Sequence, residues 1–192
     1  MRPPAIDGRG TDEVWRTATP ITEFIAFDPT EGRPGRYPTE ARVAYDDHNL
    51  YVFVRAFDPE PQTIRQMLVR RDDWPPTDHI VVVVDSYHDR RSGFEFGVNP
   101  SGAKMDASIS DDGNEDGAWD GVWEVVTTVD SLGWTAEFRI PLSQLRYADL
   151  RAANGDLADF AKGHLARAVF QVHDPRFGVG NRQADASHLG RA

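Results

Sequence analysis

Five β-branched residues in succession, Ile80-Val81-Val82-Val83-Val84, stand between Asp78 and Asp85. The run is too short and too stiff at χ1 for a helix, and it reads as a fully buried central strand. Gly93 to Val98 and Met105 to Ile109 then alternate apolar with polar or tiny residues, the two-residue period of a strand with one buried face. The turn formers Asn99-Pro100-Ser101-Gly102 separate them. Upstream, Ala41 to Tyr45 and Leu50 to Phe57 flank Asp46-Asp47-His48-Asn49, a hairpin signature, and Ile21 to Phe27 suits an edge strand. Downstream, Val122 to Val129 and Trp134 to Ile140 form a second hairpin around Asp130 to Gly133. Helical signals are few. Thr11 or Asp12 caps a short turn that carries Trp15 inward as a core anchor; Pro59 to Val69 places Ile64, Met67 and Leu68 at helical spacing; Pro141 to Leu145 starts on a proline.

This pattern predicts a mainly β protein, an antiparallel, jelly-roll-like β-sandwich with one or two short helices. Strands do not alternate with long helices, which argues against a parallel α/β sheet. The sandwich is expected over residues 1–147. From Ala148 onward glutamate is absent and alanine is common, so 148–192 reads as an atypical tail, with one strand at 167–173 and otherwise poor order.

A chain of 192 residues with 40% hydrophobic content can bury one sizeable core. Its 13 prolines and 16 glycines suit many turns between short strands. The net charge of −10 argues against nucleic acid as a partner, since phosphate contacts need clustered Lys and Arg. From Met105 through Phe138 there is neither Lys nor Arg, so this stretch forms an acidic patch that attracts cations. Without cysteine, disulfides and thiolate metal sites are excluded. No apolar run approaches the roughly 20 residues a transmembrane helix needs, and Met1 to Ile6 lacks a signal core.

Candidate chemistry concentrates in the acidic, glycine-rich stretch from Asp111 to Gly121. Trp74 and Trp119 are placed in loops. A flat aromatic beside carboxylate and amide acceptors matches a pyranose ring, so Trp74, Trp119, Asp72, Asp73, Asn114 and Asp120 are candidate ligand-binding residues. The alternative is that a loop tryptophan plugs an open end of the sandwich. Asp112, Asn114 and Asp116 at alternate positions before Gly117 match the first half of a calcium loop, with Glu124 one residue beyond the expected closing acid. The histidines share no metal spacing. No nucleophile elbow, phosphate loop or dinucleotide fingerprint is present, and Arg70, Arg71, Arg90 and Arg91 read as solvated or paired to neighbouring aspartates.

Ile6-Asp7-Gly8 with Asp12-Glu13 and Trp15, Tyr45-Asp46-Asp47-His48-Asn49-Leu50-Tyr51-Val52, and Trp74 shortly before Asp78 to Asp85 resemble a family 9 carbohydrate-binding module. More narrowly, Asp85 to Gly93, Asn99-Pro100-Ser101-Gly102, Asp111 to Trp119 and Arg139 to Tyr147 resemble a bacterial subgroup in which the module precedes an uncharacterised C-terminal region, a cell-envelope barrel. The resemblance implies a β-sandwich that binds polysaccharide or oligosaccharide without cleaving it. It also implies bound calcium and a periplasmic, outer-membrane-associated or extracellular location. Two aromatic side chains would clamp a terminal sugar, Trp74 matching the first. A glutamate would follow on the next strand, where this chain has Val81. The second reading is an interaction domain of the same fold that packs against a barrel or partner without binding sugar. A glycoside hydrolase is the third.

Overall fold

The computed structural model describes residues 2–28, 32–73, 75–87, 89–111, 113–145, 168–174, 178–183 and 189–191. One short helix, α1 (Glu13–Thr17), precedes twelve strands: β1 (Ile25–Asp28), β2 (Thr39–Tyr45), β3 (Asn49–Phe57), β4 (His79–Val84), β5 (Gly93–Val98), β6 (Lys104–Ser110), β7 (Asn114–Asp116), β8 (Glu124–Asp130), β9 (Gly133–Pro141), β10 (Ala168–Asp174), β11 (Gly178–Gln183) and β12 (Leu189–Arg191). They form a seven-stranded sheet in the order β1-β11-β10-β4-β5-β6-β7 and a five-stranded sheet in the order β12-β2-β3-β9-β8. All pairings are antiparallel except β12 with β2.

Alternation along the strands builds the core. Ile80, Val82, Val84, Phe94, Phe96 and Val98 of the larger sheet meet Val52, Val54, Ala136, Phe138 and Ile140 of the smaller one in a single cluster. The pentad 80–84 is central as expected, flanked by β5 and β10. Trp123 sits between the layers, stacked on Phe138 at 5.9 Å and edge-on to Phe96 at 5.4 Å. Gly133 makes the turn between β8 and β9. Its φ is +133°, and a Cβ there would lie 2.1 Å from the Ala56 carbonyl oxygen, which no side chain can accept.

The outer face of the five-stranded sheet is covered by the N-terminal segment, where Val14 and Trp15 pack on Ala44, Tyr51 and Phe53. Glu137, fully buried on β9, fastens that segment. Its carboxylate accepts the indole N–H of Trp15 (2.6 Å) and the backbone N–H groups of Asp7 (3.0 Å) and Gly8 (2.8 Å). Burial raises the Glu137 pKa, while those three donors pull it back.

Three elements differ from the sequence pattern. Between Pro59 and Val69 only Pro61–Thr63 is helical, as a 3-10 turn. The spacing of Ile64, Met67 and Leu68 is coincidental, because Ile64 is buried while Leu68 is 88% exposed. Backbone groups that a helix would have paired go to side chains: Arg65 N–H donates to Asp78, and the Asn99 amide donates to the Met67 carbonyl. The acidic stretch holds β7, three residues that extend the β5–β6 edge. Beyond residue 147 the chain returns to both sheets, β10 and β11 entering the larger and β12 the smaller. The strand expected at 167–173 corresponds to β10, and residues 148–167 lie outside the described set.

Candidate functional site

Two loops singled out by sequence converge at the β6 edge of the seven-stranded sheet. Asp72, with φ of 65°, turns the first loop so that its N–H donates to the Lys104 carbonyl (3.0 Å) and its carboxylate accepts Asp106 N–H (3.2 Å). That conformation is one an aspartate tolerates. Arg71 then reaches across. Its guanidinium bonds Asp106 (2.6 Å), Asp120 (2.5 Å) and the Gly121 carbonyl (2.8 Å), and lies 3.7 Å from Asp72. The Asp106 side chain is fully buried and also accepts Gly121 N–H at 2.6 Å. The acidic bend and the segment leading to Trp74 are thus joined through one arginine paired to a sequence neighbour and two distant aspartates.

Lys104 completes the cluster. Its ammonium stands 4.5 Å over the Trp123 ring and donates to the Trp123 carbonyl (2.7 Å). Burial, and next the Arg71 charge, lower its pKa, while Asp106, Asp120 and Glu124 oppose them.

The sequence-predicted residues divide. Asp72 and Asp120 meet at Arg71, and Asp120 keeps 74% of its side chain exposed. Asp73 is exposed on the same loop. Trp119 is not an open platform: its indole packs against Phe94 at 4.8 Å and Phe96 at 5.7 Å, plugging the sandwich edge, and a Cβ at Gly121 would strike its ring at 2.7 Å. Trp74 and Asp112 lie outside the described residues. Asn114 and Asp116, two apart on β7, are exposed and project to one side of that strand. Glu124 is on β8 with its carboxylate bonded to Arg139, so it is not directed at them. Among the described residues, no group of three or more His, Asp or Glu is placed to hold a metal ion.

Sequence reasoning missed the outer face of the seven-stranded sheet. Because Val82, Phe94 and Phe96 point into the core, Val81, Val83, Glu95, Gly97, Met105 and Ala107 face the other way. That face is largely buried in the folded chain, with Val81 2% and Met105 1% exposed. Glu95, 8% exposed, is buried with them, registered between Val83 and Ala107. Burial, and next the charge of Glu115 on β7, push its pKa up to about 7. An acid at an alternating strand position reads as solvent-facing, so only the assembled sheet reveals it.

In fold, the chain is similar to a family 9 carbohydrate-binding module from Caldicellulosiruptor kristjanssonii solved with glucose, at 18% identity and a TM-score of 0.59, covering 100% of this chain and 92% of that one. The same description holds for a family 9 module from that organism in complex with cellotriose, at 18% identity, a TM-score of 0.59 and coverage of 99% and 90%. A Bacteroides uniformis protein gives a TM-score of 0.61 at 10% identity, over 92% of this chain and 88% of that one. No curated protein matches the sequence. The model of the carbohydrate family 9 binding-domain-like family matches residues 6–175, a span that runs from the Glu137-fastened N-terminal segment through β10. By that match the chain belongs to the carbohydrate family 9 binding-domain-like family.

Proposed function

We propose that this chain is a non-catalytic carbohydrate-binding module. Its ligand region is the β6 edge of the seven-stranded sheet, where the Arg70–Asp73 loop meets the acidic bend at Asp120. The observation that carries the reading is family membership across residues 6–175, with both sheets assembled. The structures solved with glucose and cellotriose point to the same ligand class. The geometry adds a reason for the edge: the outer side of the five-stranded sheet is closed by α1 and the N-terminal segment, and Val81 and Met105 on the outer side of the other sheet are buried as well. At the β6 edge, Asp72, Asp73 and Asp120 are exposed beside the Arg71 guanidinium, polar groups of the kind that meet the hydroxyl edges of a sugar.

One observation favours a second reading, an interaction module that holds no sugar. Trp119 is committed to the core rather than to a ligand. Intrinsic fluorescence during titration with soluble oligosaccharides separates the two. A saturable change supports carbohydrate binding, and a silent wild-type protein across the panel favours the second.

Calcium at Asp112, Asn114 and Asp116 rests on sequence spacing, without Glu124. A fall in melting temperature on chelation, restored by calcium, supports it, because a ligand of the folded state alone must stabilise that state. The family resemblance extends the reading to an exported or envelope protein. No helix among the described residues is long and apolar enough to cross a membrane, which says nothing of a β-barrel.

A further inference from the structure

An aspartate followed by glycine is a place where a backbone can rearrange, because the glycine has no side chain to keep its nitrogen from the preceding carboxyl carbon. The chain carries Asp7-Gly8, Asp112-Gly113, Asp116-Gly117 and Asp120-Gly121. The rearrangement needs the glycine peptide to rotate, so a hydrogen bond from the glycine N–H opposes it. Gly8 N–H donates to Glu137 (2.8 Å), Gly113 N–H to the Ser110 carbonyl (3.2 Å) and Gly121 N–H to Asp106 (2.6 Å). Gly8 and Gly121 are also buried. Gly117 differs from these three: its N–H makes no hydrogen bond among the described residues.

The surroundings of Gly117 are open. Asp116, Gly117 and Ala118 are exposed at the end of β7, and a Cβ on Gly117 would meet nothing within 4 Å. Asp116 Oδ1 accepts the N–H of Ala118 (3.0 Å), the turn in which a short acidic side chain folds back over the following peptide unit. The carboxyl carbon is thereby held near the nitrogen it would have to meet.

We propose that Asp116-Gly117 is a site of spontaneous covalent modification, the conversion of Asp116 to isoaspartate. The Gly117 nitrogen attacks the carboxyl carbon of Asp116 in its protonated form. A C–N bond forms, a C–O bond breaks, and the amide proton leaves with the carboxyl hydroxyl as water, giving a cyclic imide. Water then opens the ring. Addition at the side-chain carbonyl restores aspartate; addition at the main-chain carbonyl leaves the chain running through the former side chain. No oxidant, metal or second protein takes part, and the product has the same atoms as the starting chain. It carries one more carbon in the main chain between β7 and Trp119, whose N–H donates to the Asp116 carbonyl (3.3 Å) and whose indole packs on Phe94 and Phe96. The modification therefore falls where the acidic bend is tied to the core.

The test is to hold the purified protein at mildly acidic pH below its melting temperature, with a parallel sample unfolded in urea, and to map isoaspartate by peptide fragmentation. Between Lys104 and Arg139 there is no Lys or Arg, so trypsin releases Asp112, Asp116 and Asp120 in one peptide and the fragments assign the position. Deamidation at Asn154-Gly155 changes the mass and is told apart by that. In the folded protein isoaspartate should accumulate at Asp116, through an intermediate lighter by one water. Asp7, Asp112 and Asp120 should react about tenfold or more slowly, because their glycines are released only by local opening. In urea that preference should disappear. G117A fits the open space without strain, so it should keep the wild-type melting temperature and lose the accumulation at Asp116. Absence of isoaspartate at Asp116 in the folded protein would overturn the assignment, as would equal or faster reaction at any of the other three positions, or an unchanged rate in G117A.

Discussion

The buried carboxyl of Glu95, which has no hydrogen-bond donor among the described residues, should make folding stability fall as pH rises, and the size of the effect follows from its surroundings. Its pKa moves from an ordinary 4.5 to about 7, chiefly by burial and secondarily through Glu115. Between those values the folded chain holds a proton that the unfolded chain has released, so stability is highest below pH 4.5 and is lost as pH climbs to about 7. A displacement of roughly 2.5 units corresponds to about 3 kcal/mol at 1.36 kcal/mol per unit. Other groups titrate as well. Glu137 acts in the same direction, since burial outweighs its donors. Asp130 acts in the opposite one: although burial raises its pKa, hydrogen bonds from Arg55 and the Leu132 N–H hold it low. The informative quantity is therefore wild type minus E95Q, in which a neutral amide of the same shape removes only the Glu95 contribution. For a chain of this length a kcal/mol is about 2–4 °C, so E95Q should melt roughly 6–12 °C above wild type at pH 8 and within about 2 °C of it at pH 4.5. A difference that does not change between those pH values would refute the reasoning, since it would mean that the carboxyl is solvated or has a donor of its own.

Other outcomes follow from the same geometry. R71M leaves the buried Asp106 with Gly121 N–H alone and should cost about 2–4 kcal/mol in urea unfolding, with faster amide exchange at Gly121. W15F removes the indole donor from Glu137 and should cost about 1–3 kcal/mol, detectable as loosened N-terminal amides rather than a changed sheet. G133A forces a Cβ against the Ala56 carbonyl at positive φ and should cost about 2 kcal/mol or more, seen as a lower denaturation midpoint without a change in slope.

The two hairpins were legible because alternation with period two is a local property, and β2 with β3 and β8 with β9 carry it without help from the rest of the chain. The pentad 80–84 was legible for a related reason, since continuous β-branched residues fit only a strand covered on both faces. What failed depended on partners remote in sequence. Ile64, Met67 and Leu68 imitate a helix until Asp78 and Asn99 take the backbone groups of that segment. Trp119 reads as a platform until Phe94 and Phe96 arrive beneath it. Glu95 and Glu137 occupy the same kind of strand position, and only the assembled layers show that Glu137 is given three donors while Glu95 has none among the described residues. Arg71 was placed beside aspartates, but two of its three partners, Asp106 and Asp120, are 35 and 49 positions away in the chain.

The central claim is that carbohydrate is held at the β6 edge of the seven-stranded sheet, and backbone amide NMR during addition of cellotriose, or of whichever soluble oligosaccharide wild type binds best, tests it directly. The account predicts saturable shifts along Arg70–Asp73 and at Asp106, Asp120 and Gly121, with Ala44, Tyr51 and Phe53 unmoved. Shifts confined to the five-stranded sheet and its N-terminal cover would contradict it.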